Sequence, residues 1–332
     1  MQRGYSRLRT LAAFWMAASI LVPHTASADS FTDALRSTYQ TNPRIKAERQ
    51  ALQATDELSA QALSGFRPDI SADYSYGRQR SDFGNSGWNY NNGTSKGLTV
   101  EQPLFRGGTS VANLGSARQR IKAGQNQLDA TEQAVMLQAI TAYLDVVQAQ
   151  AILELARANE KVLAKQMEGT QQRFEYGDVT RTDVAQSQAR YSNAKASTAN
   201  AEGDVVSAMA TFERVVGYKP ETTLDVPQNY PAIPASLEEA LRIARAQNPS
   251  FLATVHTEKS ANYDVSANIG TLLPQVSLLG TMSRDENAGV GGNAPFDQDA
   301  VKLNVRIPLY QSGAEYARIR EAKARARQRS EQ

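Results

Sequence analysis

The chain has 332 residues, a formal net charge of +2 and no cysteine, with 21% charged and 41% apolar residues. The near-neutral charge argues against a dedicated nucleic-acid-binding protein, which usually carries a large basic excess, and the absence of cysteine excludes disulfides, thiolate metal sites and cysteine nucleophiles. Because only two histidines are present, we expect no enzymatic activity, no cofactor and no metal site.

The N-terminus has the order of a secretory signal peptide. Three arginines within the first nine residues precede an apolar run at 11–22, and the small-residue site Ala26-Ser27-Ala28 follows. The run is too short for a membrane-spanning helix, which needs about 20 residues. We therefore predict that 1–28 form a cleaved signal peptide and that the mature chain is exported.

The remaining sequence contains an internal repeat. The Asn-Pro pair at 42–43 recurs at 248–249, which is 206 residues further on. The segment Pro-Leu-Phe-Arg-Gly-Gly at 103–108 recurs as Pro-Leu-Tyr-Gln-Ser-Gly at 308–313, which is 205 residues further on. Similar segments in the same order and at nearly constant spacing indicate a duplicated unit.

The first repeat is assigned to 29–236 and begins with a helix and a β-hairpin. Polar and Ala-rich residues predict a helix that is interrupted at Asn42-Pro43. Alternation of apolar and polar residues predicts a β-hairpin at 68–106, whose second strand starts at about Ser95. A Gly- and Asn-rich segment at 84–93 is expected to be the hairpin loop.

A long helical hairpin is predicted at 109–216. Helix breakers are nearly absent until Gly177, which predicts a helix of about 100 Å. Thr180 and Asp183 then have the spacing of an N-cap and third-position acid, so they predict the start of a returning helix. In the first helix, a coiled-coil seam is expected at residues spaced by three and four, namely Leu137, Ile140, Leu144, Val147 and Ala151.

A proline-containing connector at 217–236 leads to the second repeat, assigned to 237–332. This repeat is expected to contain a helix, a β-hairpin at 272–310 and the start of a long helix. It lacks an equivalent of 128–236, so we expect the chain to be C-terminally incomplete.

The two hairpins would give four strands with unlike faces. Closed barrels begin at about eight strands, and unpaired edges in hydrocarbon cost several kcal/mol for each backbone group. If the apolar face meets lipid, several chains must therefore share one barrel. The alternative is a soluble sheet with one solvated face.

The signal peptide, the duplicated unit, the Pro-Leu-Phe-x-Gly-Gly turn and the string Arg-Phe-Glu-Tyr-Gly-Asp-Val-Thr-Arg-Thr-Asp-Val at 173–184 together resemble the TolC family of outer-membrane efflux and type I secretion channels. The resemblance covers 29–332. It implies a mixed α and β fold, with long antiparallel coiled-coil hairpins. It also implies a homotrimer in which each subunit gives four strands to one twelve-stranded outer-membrane barrel.

The resemblance also implies roles for particular residues. Strand would become helix at two junctions, which contain Pro103, Gly107, Gly108, Pro308 and Gly313. A periplasmic adaptor (membrane fusion) protein would dock at the tip of the helical hairpin, on Gly177, Asp178, Val179 and Thr180.

Thr182 and Asp183 match a pair that holds the channel entrance shut in the family. An equal alternative for Asp183 is a purely structural role in the first turn of the helix, where the helix dipole favours a negative charge.

The implied function is a passive exit duct in the outer membrane, in contact with lipid and powered by an inner-membrane ABC or proton-driven transporter. By the same resemblance, the sequence at 173–184 favours type I secretion over efflux. Two alternatives remain, namely a periplasmic adaptor-like coiled-coil protein and a truncated channel fragment without function. The adaptor alternative predicts a single helical hairpin and a soluble β-domain.

Overall fold

The computed structural model describes residues 31–82, 88–220, 224–226, 233–286 and 295–331. The predicted signal peptide, part of the predicted loop at 84–93, part of the second predicted hairpin and parts of the connector lie outside the described residues. The helices and strands, in chain order, are α1 Phe31–Thr41, α2 Pro43–Ser64, β1 Asp69–Asp82, β2 Trp88–Arg106, α3 Thr109–Glu175, α4 Arg181–Val216, α5 Leu237–Gln247, α6 Pro249–Gly270, β3 Gln275–Glu286, β4 Phe296–Arg306 and α7 Ala314–Ser330.

The two Asn-Pro pairs each separate a short helix from a longer one. The side chain of Asn42 accepts a hydrogen bond from the Arg44 amide at 2.9 Å, and Asn248 accepts one from the Phe251 amide at 3.2 Å. Each asparagine caps the helix that begins at the following proline, where a missing N–H costs nothing. The same chemistry thus breaks both helices at the same position of the repeat.

The four strands form one antiparallel sheet in the order β1-β2-β3-β4. The register pairs Ile70 with Val100, Val100 with Gly280, and Gly280 with Val301. Since β2 pairs with β3, the sheet joins the two sequence repeats into one layer. Among the described residues, β1 and β4 each have a partner on one side only, so they are the edges of the sheet.

The second strand begins earlier than the sequence predicted. Trp88 already pairs with Asp82, and Gly93 pairs with Gly77. The predicted loop is therefore wrong for 88–93, which belong to β2. Gly and Asn disfavour strands only weakly, and the continuous ladder with β1 outweighs that preference here.

The helices pack side by side along α3, which has 67 residues. Helix α3 packs against α2, α4 and α6, and α7 packs against α6. A hydrophobic cluster lies where α1 meets α3 and α4, and it is centred on Tyr143 and Phe212, which are both fully buried. The Tyr143 hydroxyl donates to the carbonyl of Asp225 at 2.9 Å, which ties the connector to the cluster.

The predicted coiled-coil seam of α3 is buried only in part, since Val147 packs against the hydrophobic cluster but two of the leucines do not. Leu137 is 63% exposed and Leu144 is 43% exposed. The buried stripe of α3 lies on another face of the helix and contains mostly smaller residues around Tyr143, with Val135, Ala139 and Val146 among its members. Small side chains let neighbouring helices approach closely, and sequence spacing alone could not tell the two apolar stripes of α3 apart.

We predict that Phe212→Ala lowers the free energy of unfolding by about 3–5 kcal/mol, because it leaves a cavity between α1, α3 and α4. Val206→Ala is the matched control on the same helix, since Val206 is exposed, and it should change stability by less than about 0.5 kcal/mol. The measurement is thermal and urea unfolding of the detergent-solubilised protein, followed by circular dichroism. Equal effects of the two substitutions would contradict the position of the cluster.

Candidate functional site

One face of the sheet is apolar from Ile70 to Tyr76 and across the neighbouring strands, and it becomes charged at Lys96 and Arg284, whereas the other face is mainly polar. The apolar face is exposed, and Val301 is the most accessible of its aliphatic side chains, with 77% exposed. The polar face carries hydroxyl and charged residues on every strand. The apolar residues that share the first face in the observed register are Ile70, Tyr74, Tyr76, Leu98, Leu278, Met282, Val301, Leu303 and Val305.

This arrangement is the inverse of a water-soluble sheet. A soluble sheet buries its apolar face against a second layer, whereas no described helix covers this one. A sheet with an exposed apolar face and a polar opposite face has the pattern of membrane strands that face lipid on one side and an aqueous lumen on the other.

One described helix, α3, is also long and apolar enough to cross a membrane by length and composition alone. A single helix of this kind is weak evidence, because core helices of soluble proteins pass the same test. Since α3 packs against three other helices, we assign it to the helical layer.

The first strand-to-helix junction contains a β-bulge. Pro103 pairs with Ser277, and the ladder with β3 resumes at Phe105, so that Leu104 is the extra residue. On the other side, the ladder with β1 ends at Glu101. Pro103 therefore ends the ladder towards β1 only approximately and does not end it towards β3, because the bulge accommodates the missing N–H. The bulge has no signal in the sequence other than the proline itself.

Glycines make the turn from β2 into α3. Gly107 has φ +59°, and a Cβ there would clash with the carbonyl oxygen of Gly270 in α6. Gly108 follows with φ +79° and open space around it. At the second junction, Ser312 has φ +56° and Gly313 has φ +80°. Both junctions use the same backbone turn, but only the first requires glycine for close packing between the repeats. Gly270 was not among the predicted residues.

We predict that Gly107→Ala destabilises the protein more than Gly108→Ala does. Both substitutions place a side chain in the left-handed region, which costs about 1–2 kcal/mol. Only Gly107→Ala adds a clash with the backbone carbonyl of Gly270, and α3 and α6 must move apart to relieve that clash. Thermal unfolding of the two variants side by side measures the difference, and equal melting temperatures would contradict the close approach.

The end of α3 is a Schellman motif at the tip of the helical hairpin. The amide of Gly177 donates to the carbonyl of Phe174, and the amide of Asp178 donates to the carbonyl of Arg173, both at 2.9 Å. Gly177 has φ +81°, which glycine adopts without Cβ strain. These bonds satisfy the last carbonyls of α3 and reverse the chain direction.

The start of α4 is a capping box, as the sequence predicted. The Thr180 hydroxyl accepts a hydrogen bond from the Asp183 amide at 3.3 Å, and the Thr180 amide donates to Oδ2 of Asp183 at 2.8 Å. Hydrogen bonds from the Thr180 hydroxyl and amide hold the pKa of the Asp183 carboxyl below its ordinary value, and the charge of Arg173 adds to this effect. The carboxylate of Asp183 therefore already has a structural role.

The predicted docking and gating residues lie together at this tip. All are exposed except one half-buried valine, and Tyr176 beside them is 86% exposed. A rigid turn with exposed side chains is suited to contacts with another protein. These residues are Gly177, Asp178, Val179, Thr180, Thr182 and Asp183.

We predict that acidification loosens the first turn of α4. A depressed carboxyl pKa contributes stability above the unfolded-state pKa, and this stability is lost as the pH falls through the lower folded-state value. A nitroxide on a cysteine introduced at Arg181 should therefore become more mobile below about pH 4. Asp183→Asn should remove this pH response. A similar response in both proteins would contradict the role of the carboxylate.

His256 packs α6 against α3. Its Nδ1 lies 2.8 Å from Oε1 of Gln119. Burial lowers the pKa of the imidazole, and the nearby charges of Lys259 and Lys122 lower it further. Within the part of the chain that the structure describes, no group of three or more His, Asp or Glu side chains is placed to hold a metal ion.

A family model for outer membrane efflux proteins matches residues 34–218 and 240–332. The chain therefore belongs to the outer membrane efflux protein family, and the predicted resemblance is confirmed. Members of this family are channels of the outer membrane, not enzymes. The predicted location in the outer membrane is thereby confirmed.

Several characterised proteins are similar in sequence. The outer membrane efflux protein BepC of Brucella suis is 30% identical over 314 residues, which cover 94% of this chain and 67% of BepC. The alkaline protease secretion protein AprF of Pseudomonas aeruginosa is 26% identical, with 91% and 66% covered. The outer membrane protein TolC of Vibrio cholerae is 25% identical, with 86% and 66% covered. The chain spans about two thirds of the length of these relatives.

Solved structures share the fold. CusC superimposes with a TM-score of 0.80 at 15% identity, over 91% of this chain and 70% of CusC. The Campylobacter jejuni CmeC outer membrane channel gives a TM-score of 0.78 at 15% identity, over 90% and 66%. Identities this low establish the fold alone, and the predicted fold class of helices with a four-stranded sheet is confirmed.

Proposed function

We propose that the protein is a subunit of a trimeric outer-membrane channel that acts as a passive exit duct. The observation that carries this proposal is the four-stranded sheet, which has an exposed apolar face and two open edges. In hydrocarbon, unpaired backbone groups cost several kcal/mol each, so other chains must complete the ring. Three copies, the number that the family resemblance implies, would supply twelve strands, more than the roughly eight of the smallest closed barrels.

The helical layer would form the periplasmic part of the duct. Helix α3 has 67 residues and is therefore about 100 Å long, so the tip lies far from the sheet. We propose that a periplasmic adaptor protein docks on Gly177, Asp178, Val179 and Thr180. Thr182 and Asp183 would contribute to closing the entrance, although the capping box supports the alternative that Asp183 only starts α4.

In this proposal the two repeats, 29–236 and 237–332, occupy adjacent sectors of the ring. Transport energy would come from an inner-membrane ABC or proton-driven transporter. The relatives include an efflux protein and a protease secretion protein. The sequence of the hairpin tip, 173–184, favours type I secretion over efflux.

The proposal predicts recovery of the protein in the outer-membrane fraction as an SDS-resistant trimer that dissociates on heating. Val301→Lys should lower the dissociation temperature, because a charge on the lipid face costs about 2–4 kcal/mol at the bilayer midplane. Asn304→Lys is the matched control, since Asn304 is on the polar face of the same strand. It should leave the trimer intact.

The measurement is cell fractionation followed by electrophoresis of heated and unheated samples. A soluble periplasmic monomer would contradict the channel and favour an adaptor-like protein. Equal sensitivity to the two lysines would contradict the assignment of the lipid face.

A further inference from the structure

We propose that the polar face of the sheet binds an oxyanion of the phosphate type between Arg106 and Arg306, at the end of the sheet that adjoins the helices. Both arginines lie on one rung of the ladder, because Gln275 of β3 pairs with Arg106 on one side and with Arg306 on the other. The site is formed within one chain, whereas its position in a channel lumen rests on the proposed function.

The β-bulge at Leu104 places Arg106 on the polar face. Before the bulge, even-numbered residues of β2 such as Leu98 lie on the apolar face, so an unbroken strand would place Arg106 there too. Because Leu104 is an extra residue, Phe105 takes the apolar position and Arg106 pairs with Gln275 on the polar face. Bulges commonly re-aim a side chain in this way next to a functional site.

Arg306 reaches the same rung by regular alternation. Leu303 and Val305 of β4 lie on the apolar face, so Arg306 lies on the polar face. Neighbouring strands are about 4.8 Å apart, which puts the α-carbons of the two arginines about 10 Å apart with β3 between them. Two long side chains that flank a gap of this size suit one anion held between them, since each guanidinium offers a fork of N–H donors that matches phosphate oxygens.

A cavity of about 310 Å³ lies at this rung. Its volume is at the lower end of the range for small-molecule sites. Gln275, Ser277 and Asn304 line the cavity together with the two arginines. Ser277 and Asn304 pair with each other on the next rung of the polar face. Amide and hydroxyl groups of these three residues are neutral donors for the remaining oxygens of an anion.

The charges around the cavity favour an anion. Neither Arg106 nor Arg306 takes part in the ion pairs that the described residues form. Among the described residues, the cavity wall contains one acidic side chain, Glu101. Glu101 lies two rungs away on the polar face, on the rung that also holds Asp69 and Lys302. Two guanidinium groups on one rung repel each other, and an anion between them offsets that repulsion.

In the proposed trimer, three of these sites would surround the lumen where the barrel meets the helices. Rings of arginine and lysine side chains favour anions in pores. Solutes that carry a phosphate group would therefore be enriched at this level of the duct.

Calorimetric titration of the detergent-solubilised full chain with inorganic phosphate tests the site. The ionic strength is held at about 0.1 M with sodium chloride, where the Debye length is about 10 Å. Arg106→Gln and Arg306→Gln should each weaken phosphate binding about tenfold, because each removes hydrogen bonds to a charged group.

Lys302→Gln is the matched control, because it removes one positive charge from the polar face of the same strand as Arg306. Lys302 lies four residues, or about 13 Å, along β4 from Arg306. This separation exceeds the Debye length, so the substitution should weaken phosphate binding less than about twofold.

An exchange of two neighbouring residues tests the role of the bulge. Phe105→Arg combined with Arg106→Phe keeps the composition and net charge and moves the guanidinium to the apolar face. This variant should bind phosphate as weakly as Arg106→Gln does, with an unchanged circular dichroism spectrum. Phosphate binding as tight as that of the unsubstituted protein would contradict the assignment of Arg106 to the site.

A second titration, with glycerol phosphate, distinguishes two sources of the phosphate group. Similar binding of both compounds would support a site for phosphorylated solutes, and binding of inorganic phosphate alone would support a site for the free ion. Absent phosphate binding, or equal binding by all variants, would overturn the site. The trimer is tested separately by electrophoresis, so its absence would contradict the channel and leave the anion site in place.

Discussion

The need of backbone N–H and C=O groups for hydrogen-bond partners governs this structure. Soluble proteins protect the edges of their sheets with short strands, charges or covering helices. Here the edge strands β1 and β4 are long, and the face between them is apolar and exposed. The sheet therefore suits neither water nor lipid as a single copy, and in the proposed ring its ladder would continue into other chains.

The duplicated sequence shows that the burial of a side chain depends more on the helices available to pack against it than on the residue type. In α1, Phe31 packs edge-on against Tyr143, with ring centroids 5.2 Å apart. Leu237 has the same repeat position in α5 and is 77% exposed. Helix α1 lies against α3 and α4, whereas α5 contacts mainly α6. The apolar face of α5 thus follows the same sequence pattern as the apolar face of α1. Among the described residues, however, no pair of helices packs against α5 as α3 and α4 pack against α1.

The sequence predicted most elements because strong local signals mark them. Asn-Pro pairs, alternation in the strands and the capping box of Thr180 and Asp183 each act over a few residues. The early start of β2 at Trp88 and the bulge at Leu104 depend on pairing with other strands, which local composition does not encode. The tip residues could be placed together from sequence, and the spacing of Thr180 and Asp183 already predicted that the Asp183 carboxylate caps its own helix, as the distances show.

Local sequence patterns also could not show which of the two apolar stripes of α3 packs against other helices. Leu137, Leu144, Leu155 and Val162 are separated by seven or eleven residues, so at 3.6 residues per turn they fall within about 20° on one face. All four are exposed, while the neighbours of α3 pack on a stripe of smaller residues that includes Ala139. Small residues allow close helix packing within the chain, and the larger ones remain on a straight exposed face. The helical layer and the sheet therefore share one property, since each leaves extended apolar surface exposed in a single copy, and burial of that surface favours a larger assembly.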